Sequence, residues 1–188
     1  MRLILEELEK AEKDMQYEYA NGIGQDSHRF MQPCEAQLRT ADKWPKKLIL
    51  AGVEFPDETP LVANSDGDVV LHALTNAISG VTGINILGTI ADQMCRQGIT
   101  DSSAYLAKAM SFATEQGWEL RHISVSIEAK RPKFTPMIGP MKVRLGELTG
   151  LDPQRIGITA TSGEQLTRFG EGEGIMVFCS VTMRREEI

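Results

Sequence analysis

The sequence predicts one α/β (α+β) domain, built on a mixed sheet with helices mainly on one face. Three observations carry that expectation. A length of 188 residues suits a single domain and buries roughly two thirds of the unfolded surface. The segment Leu120–Ala129 alternates, with Ile123, Val125, Ile127 and Ala129 on one face and His122, Ser124, Ser126 and Glu128 on the other. Helical periods are interspersed with strand-like segments along the chain, without repeats or low-complexity tracts, which describes one compact mixed unit.

The elements follow in order. Residues 1–19 read as an N-terminal helical extension, with Leu3, Leu8, Ala11 and Met15 on one side; the same stretch also reads as a mobile polar extension. The domain proper is expected over residues 20–188. Gly22 to Phe30 is an extended segment bounded by glycines, and 31–46 a loop holding Pro33 and Pro45. Lys47–Phe55 reads as a strand broken at Gly52, the pattern of a hairpin. Ser65-Asp66-Gly67-Asp68 opens a helix in the manner of a capping box, with Gly80 as its stop. Residues 81–100 lack a firm period and allow one short helix. A helix over Ser102–Gln116 buries Tyr105, Leu106 and Ala109; a third runs from Met137 to Thr149 and ends at Gly150. Strands at Arg155–Thr161 and Ile175–Met183 close the chain around a Gly-rich turn.

Composition narrows the functional classes. Twenty basic against 26 acidic residues leave a net charge of −6, so no broad basic face for nucleic acid is expected. Cys34, Cys95 and Cys179 are odd in number and far apart, which reads as free thiols in a reducing compartment. No run of 18 apolar residues and no signal-peptide core is present, so a cytoplasmic address without a membrane partner is expected.

Three local patterns carry chemistry. Asp26 and His28 lie two apart in an extended segment, so a carboxylate and an imidazole point the same way. Both are good zinc ligands, although the pair also reads as a hydrogen-bonded Asp–His couple at a strand end. His72 falls on the polar stripe of its helix with Asp68, Asn76 and Ser79, away from Val70, Leu74, Ala77 and Ile78. That stripe is either solvent face or, with Asp26 and His28, the third side of a catalytic metal site with an open fourth position. His122, on the polar face of its strand, is expected to be exposed. The second pattern is Ala160-Thr161-Ser162-Gly163-Glu164 with Gly170-Glu171-Gly172-Glu173-Gly174, whose hydroxyls, backbone N–H groups and carboxylate suit a metal-bound phosphate or simply a turn. The third is the stiff basic loop Lys130-Arg131-Pro132-Lys133-Phe134-Thr135-Pro136, fit to meet a phosphate or a base, or else to lie solvated before its helix.

Taken together, GIGQDSHRF, NSDGDVVLHAL, Ala129-x-x-Pro132-Lys133-x-x-Pro136, and ATSGE with GEGI resemble, in order, the 2-C-methyl-D-erythritol 2,4-cyclodiphosphate synthase family, over about Gly22 to Met183. The resemblance implies a homotrimer with interfacial active sites. It implies intramolecular phosphoryl transfer in non-mevalonate isoprenoid biosynthesis, from 4-diphosphocytidyl-2-C-methyl-D-erythritol 2-phosphate to the cyclodiphosphate and CMP. By the same resemblance Asp26, His28 and His72 would bind Zn²⁺ or another divalent ion, and Glu164 would hold Mg²⁺ or Mn²⁺ on the diphosphate. Thr161 and Ser162 would touch the phosphates, with Ser162 assisting catalysis. Ala129, Pro132, Lys133, Phe134 and Thr135 would form the cytidine pocket, while Ser65 and Gly88 would meet the substrate. Departures from the family pattern are local. Asn64 stands where the family often has a transition-state-stabilising His; Asn85-Ile86-Leu87-Gly88 lacks the family loop's Asp; Arg168 and Glu171 replace the Phe and Arg that help bind isoprenoid diphosphates in the family's central cavity. A metal-dependent phosphohydrolase, or a non-catalytic metal-stabilised trimeric module, are the alternatives on the same scaffold.

Overall fold

The structure, a computed structural model, describes residues 16–32 and 47–187. A four-stranded mixed sheet runs in the order β1 (Tyr17–Arg29), β6 (Gly174–Glu186), β4 (Glu119–Glu128), β5 (Ile156–Thr161). β1 and β6 pair antiparallel along their whole length, β4 is antiparallel to β6, and β5 is parallel to β4. One face is apolar by strict alternation: Ile175, Val177, Cys179, Val181 and Met183 of β6 line up with Ile123, Val125 and Ile127 of β4, all buried. Three helices cover it, α1 (Val69–Thr82), α3 (Ser102–Glu115) and α4 (Ile138–Thr149), with α1 lying across β1 and β6. Short α2 (Thr89–Arg96) and the single turn α5 (Arg168–Glu171) complete the helices, and β2 (Leu48–Leu50) with β3 (Val53–Phe55) form a separate hairpin. The opposite sheet face carries Ser124, Ser126, Ser180 and the exposed apolar side chains of Ile23 and Phe178.

The mixed α/β unit and its one covered face agree with the sequence. Several boundaries do not. Tyr17–Tyr19 are strand, not the end of a helix, because β6 extends far enough to pair with them; residues 1–15 of the extension, and loop residues 33–46, lie outside the described residues. Helix α1 is capped by Asp68, not by Ser65, and passes through Gly80 to end at Gly83, whose φ of 72° is the left-handed cap. Gly80 lies where β1 passes the helix, and a Cβ there would make only ordinary contact, 3.5 Å from the Ile23 carbonyl oxygen.

Asp68 is the hub of this region. Its fully buried carboxylate accepts from four backbone N–H groups, those of Val70 and Leu71 in the helix and of Ala51 and Gly52 in the hairpin turn. That two-residue turn has positive φ at both positions, 55° and 71°, the geometry that matches strand twist. Burial pushes the Asp68 carboxyl up to about 6 against the pull of those N–H donors.

Candidate active site

Strand β1 builds half of the site by parity alone. Gly22, Gly24, Asp26 and His28 share the face turned to α1. The two glycines form a notch: a Cβ on Gly22 would sit 2.0 Å from the Ala77 carbonyl oxygen, and one on Gly24 2.1 Å from that of Ala73. The helix backbone therefore rests directly on the strand. One turn nearer its N-terminus, α1 presents His72 to Asp26 and His28. Asp26 Oδ2 lies 2.8 Å from His72 Nδ1 and 3.1 Å from His28 Nε2, and the two ring nitrogens are 3.3 Å apart. All three ligand atoms lie within 4.8 Å of one another.

This donor set fits a divalent metal. A tetrahedral zinc with bonds of about 2.0–2.1 Å spaces its ligand atoms about 3.3 Å apart, close to what is found here. One carboxylate oxygen and two imidazole nitrogens leave the fourth position for a substrate oxygen. Burial pushes the Asp26 carboxyl up, but hydrogen bonds from His28 and His72 and their charge outweigh it and hold the group well below the usual carboxylate range. Burial likewise lowers His28, yet its hydrogen bond to Asp26 and the Asp26 charge raise it above its ordinary value.

His72 is 7% exposed, so the polar stripe of α1 is not a solvent face; it closes against β1 and the loop ahead of α3. Its second nitrogen, Nε2, is 2.9 Å from Ser102 Oγ and 3.3 Å from Ser65 Oγ. Ser65 is thus turned inward, where it also accepts from the Gly67 N–H. Ser102 is fully buried and bonds to Asp66 twice, through its hydroxyl and through its backbone N–H at 2.9 Å. Neither Ser102 nor Asp66 stands out in the sequence as a site residue. Both look like helix-start punctuation, and their contact spans 36 positions.

The remaining candidates divide between two places. Asn64 is exposed immediately before Ser65, and Gly88 precedes α2. Ile86 is fully buried in the core, so the exposed polar side chain of that loop is Asn85. His122 is exposed on its strand. The basic loop after β4 frames a cavity of about 480 Å³ lined by Phe55, Glu58, Lys130, Pro132 and Lys133 among others. Within the loop Ala129, Pro132 and Phe134 are buried, Phe134 edge-on against Phe55, while Lys133 and Thr135 are exposed. Arg131 is held by Glu58 at 3.1 Å and lies 3.8 Å over the Phe30 ring. Thr161, Ser162 and Glu164 form an exposed turn after β5 in which Ser162 Oγ donates to Glu164 Oε1 at 2.7 Å. Gly163, Glu164 and Gln165 have successive φ of 69°, 46° and 62°; two non-glycine residues in the left-handed region are strain of the kind that collects at ligand sites.

The metal triad and this turn lie at opposite edges of the sheet. The register runs Asp26–Val177–Ile127–Ala160, so they share one level but stand three strand spacings apart, about 14 Å. Among the described residues the only such cluster of metal-ligating groups is Asp26, His28 and His72, without Glu164.

The model of the YgbB family matches residues 19–184. The 2-C-methyl-D-erythritol 2,4-cyclodiphosphate synthases of Chlamydia trachomatis serovar A and Chlamydia felis are each 43% identical, the first over 171 residues covering 90% of both chains, the second over 179 residues covering 92% of this chain and 96% of the other. Among solved structures, the bifunctional IspDF of Campylobacter jejuni superposes with a TM-score of 0.78 at 30% identity over 90% of this chain, which spans 43% of that longer one. A 2C-methyl-D-erythritol-2,4-cyclodiphosphate synthase in its CDP-bound form gives 0.73 at 26% identity, over 87% of this chain and 99% of that one.

Proposed function

The chain belongs to the YgbB family, and from that premise we propose how it works as a 2-C-methyl-D-erythritol 2,4-cyclodiphosphate synthase whose active site is shared between copies. The enzyme is a lyase of non-mevalonate isoprenoid biosynthesis and converts 4-diphosphocytidyl-2-C-methyl-D-erythritol 2-phosphate to the 2,4-cyclodiphosphate and CMP. An oxygen of the 2-phosphate forms a bond to the β-phosphorus, and the bond from that phosphorus to the bridging oxygen breaks. CMP departs with the bridging oxygen. The attacking phosphate is already ionised near neutral pH, so no general base is required; the barrier is the approach of two anions, overcome by positioning and charge neutralisation.

Asp26, His28 and His72 hold a zinc ion, and Glu164 a Mg²⁺ or Mn²⁺. Bound there, the two cations supply the charge neutralisation that the β-phosphate and the diphosphate need. Thr161 turns its hydroxyl to the phosphates, and Ser162, whose proton goes to Glu164 here, would give it to the oxygen that gains charge as the bridging bond lengthens once Glu164 holds the cation. Asn64, exposed beside the metal site, donates a neutral hydrogen bond there. Ser65 and Gly88 border the methylerythritol end. Ala129, Pro132, Lys133, Phe134 and Thr135 receive the cytidine, where the cavity framed by Lys130 and Lys133 supplies positive charge in an acidic protein.

The active substance of this reading is the convergence of three ligand atoms on one point. Its assembly is a homotrimer. The metal triad occupies one sheet edge and the Thr161–Glu164 turn the other, so the turn of one copy meets the triad of the next in a head-to-tail ring. Ile23, 72% exposed, and Phe178 on the uncovered sheet face suit burial in that ring. The test is turnover of the cytidyl substrate with Zn²⁺ and Mg²⁺, followed by phosphorus NMR. CMP and a cyclic diphosphate signal in equal amounts are expected; CMP with an open-chain bisphosphate, two separate phosphate monoesters, would identify a hydrolase instead.

A further inference from the structure

We propose that Ser102, oriented by Asp66, is the positioning residue that makes His72 a ligand through Nδ1. The inference rests on the metal-centre reading above and deepens it, because it concerns groups that do not touch the metal.

The donors and acceptors around Ser102 fix the direction of each bond. Asp66 is an acceptor only, and its carboxylate takes the backbone N–H of Ser102 at 2.9 Å, the backbone N–H of Asp68 at 3.1 Å and the hydroxyl of Ser102. The single hydroxyl proton of Ser102 is therefore committed to Asp66. Toward His72 Nε2, at 2.9 Å, Ser102 Oγ has only lone pairs to offer. That contact is a hydrogen bond only if Nε2 carries the proton. Ser65 Oγ, at 3.3 Å from the same nitrogen, is a second acceptor there. A neutral imidazole protonated at Nε2 presents its lone pair at Nδ1, the atom 2.8 Å from Asp26 Oδ2 and 3.3 Å from His28 Nε2. Two lone-pair-bearing atoms aimed at each other across that distance need a positive charge shared between them, a proton in the metal-free site and the metal ion that displaces it in the loaded one. Carboxylate, serine and imidazole thus form a chain whose direction is fixed at the Asp66 end and read out at the metal.

The arrangement is buried enough to hold. Ser102 is 0% exposed at the first turn of α3, whose N-cap is Asp101, so its backbone is clamped independently of His72. In water the hydroxyl rotor would be free; here Asp66 removes that freedom. Outer partners of this kind typically change metal affinity by about 10–100-fold.

The experiment uses the full-length protein and zinc alone. Dissociation constants come from competition with a chromophoric chelator. Nitrogen-15 NMR of the zinc-loaded protein reports which ring nitrogen of His72 carries hydrogen. Wild type is expected to bind zinc with the proton on Nε2. Ser102→Ala should weaken zinc about 10–100-fold, with the zinc-free protein still unfolding cooperatively on heating at a somewhat lower temperature. Asp66→Asn serves as the second variant, needed if Ser102→Ala does not fold. An amide NH₂ donating to Ser102 Oγ would turn the hydroxyl toward His72 and stabilise the wrong tautomer. Zinc binding should weaken similarly, and the His72 proton should be found on Nδ1 in the zinc-free protein. Wild-type affinity in either variant overturns the proposal while leaving the metal centre intact. Failure of the wild type to bind zinc would overturn the metal centre itself, and the proposal with it.

Discussion

Single side chains set the chemistry, and their removal should separate its parts. His72→Ala is expected to lose zinc and turnover together, whereas Glu164→Gln should keep zinc and lose its Mg²⁺-dependent rate; metal content and steady-state kinetics check both. Protons compete for the same atoms. Asp26 holds His28 above its ordinary value, and zinc requires the neutral ring. Apparent zinc affinity should therefore rise with pH through the histidine range and fall below it, by about tenfold per pH unit for each proton displaced. A chelator competition that is flat across that range would contradict the ligand assignment. Cys179 is the opposite case: burial alone pushes its thiol up to about 12. The folded chain keeps that proton where the unfolded chain releases it, so the thiol's contribution to stability falls as pH rises above the ordinary thiol range. Near neutral pH it should resist iodoacetamide until the chain is unfolded in urea, as peptide mapping would reveal.

At the level of elements, the notch on β1 and the hub on α1 fix where the ligands meet. Gly24→Ala would drive a methyl group against the Ala73 carbonyl, 2.1 Å away. A cost of about 3 kcal/mol in urea unfolding is expected, with weakened zinc binding, because moving α1 off β1 moves His72 from its partners. Asp68→Asn keeps a cap but puts an NH₂ where an acceptor now serves Gly52 or the helix N–H groups, at about 2 kcal/mol. These cases also show what the sequence makes legible. Period two is local, so Asp26 and His28 could be placed on one face from their spacing, and Leu120–Ala129 from its alternation. Helix α1 was visible, but its cap and stop were not: Ser65 and Asp68 both suit a cap, Gly80 and Gly83 both suit a stop, and packing against the hairpin and β1 decides between them. His72 sits on a stripe that by pattern alone faces water; only the position of β1 brings it to Asp26 and His28 as a candidate ligand. Ser102 and Asp66 are silent in the sequence because their role depends on a contact 30 and 36 positions away.

At the scale of the whole molecule, the two candidate half-sites stand at opposite edges of the sheet, and the proposed function has each completed by another copy. Mixing His72→Ala chains with Glu164→Gln chains, each inactive, tests this directly. In randomly reassembled equal mixtures about a quarter of the junctions combine an intact triad with an intact turn, so about a quarter of wild-type activity should return. No recovery after verified subunit exchange would place the whole site within one chain. The separation of β1 from β5 has one more consequence, which concerns counting. An open string of three copies has only two complete junctions and a bare half-site at each end, whereas a closed ring of three has three junctions and none bare. Titrating productive sites per chain therefore measures closure itself: the ratio is one for a ring and falls below one for any string.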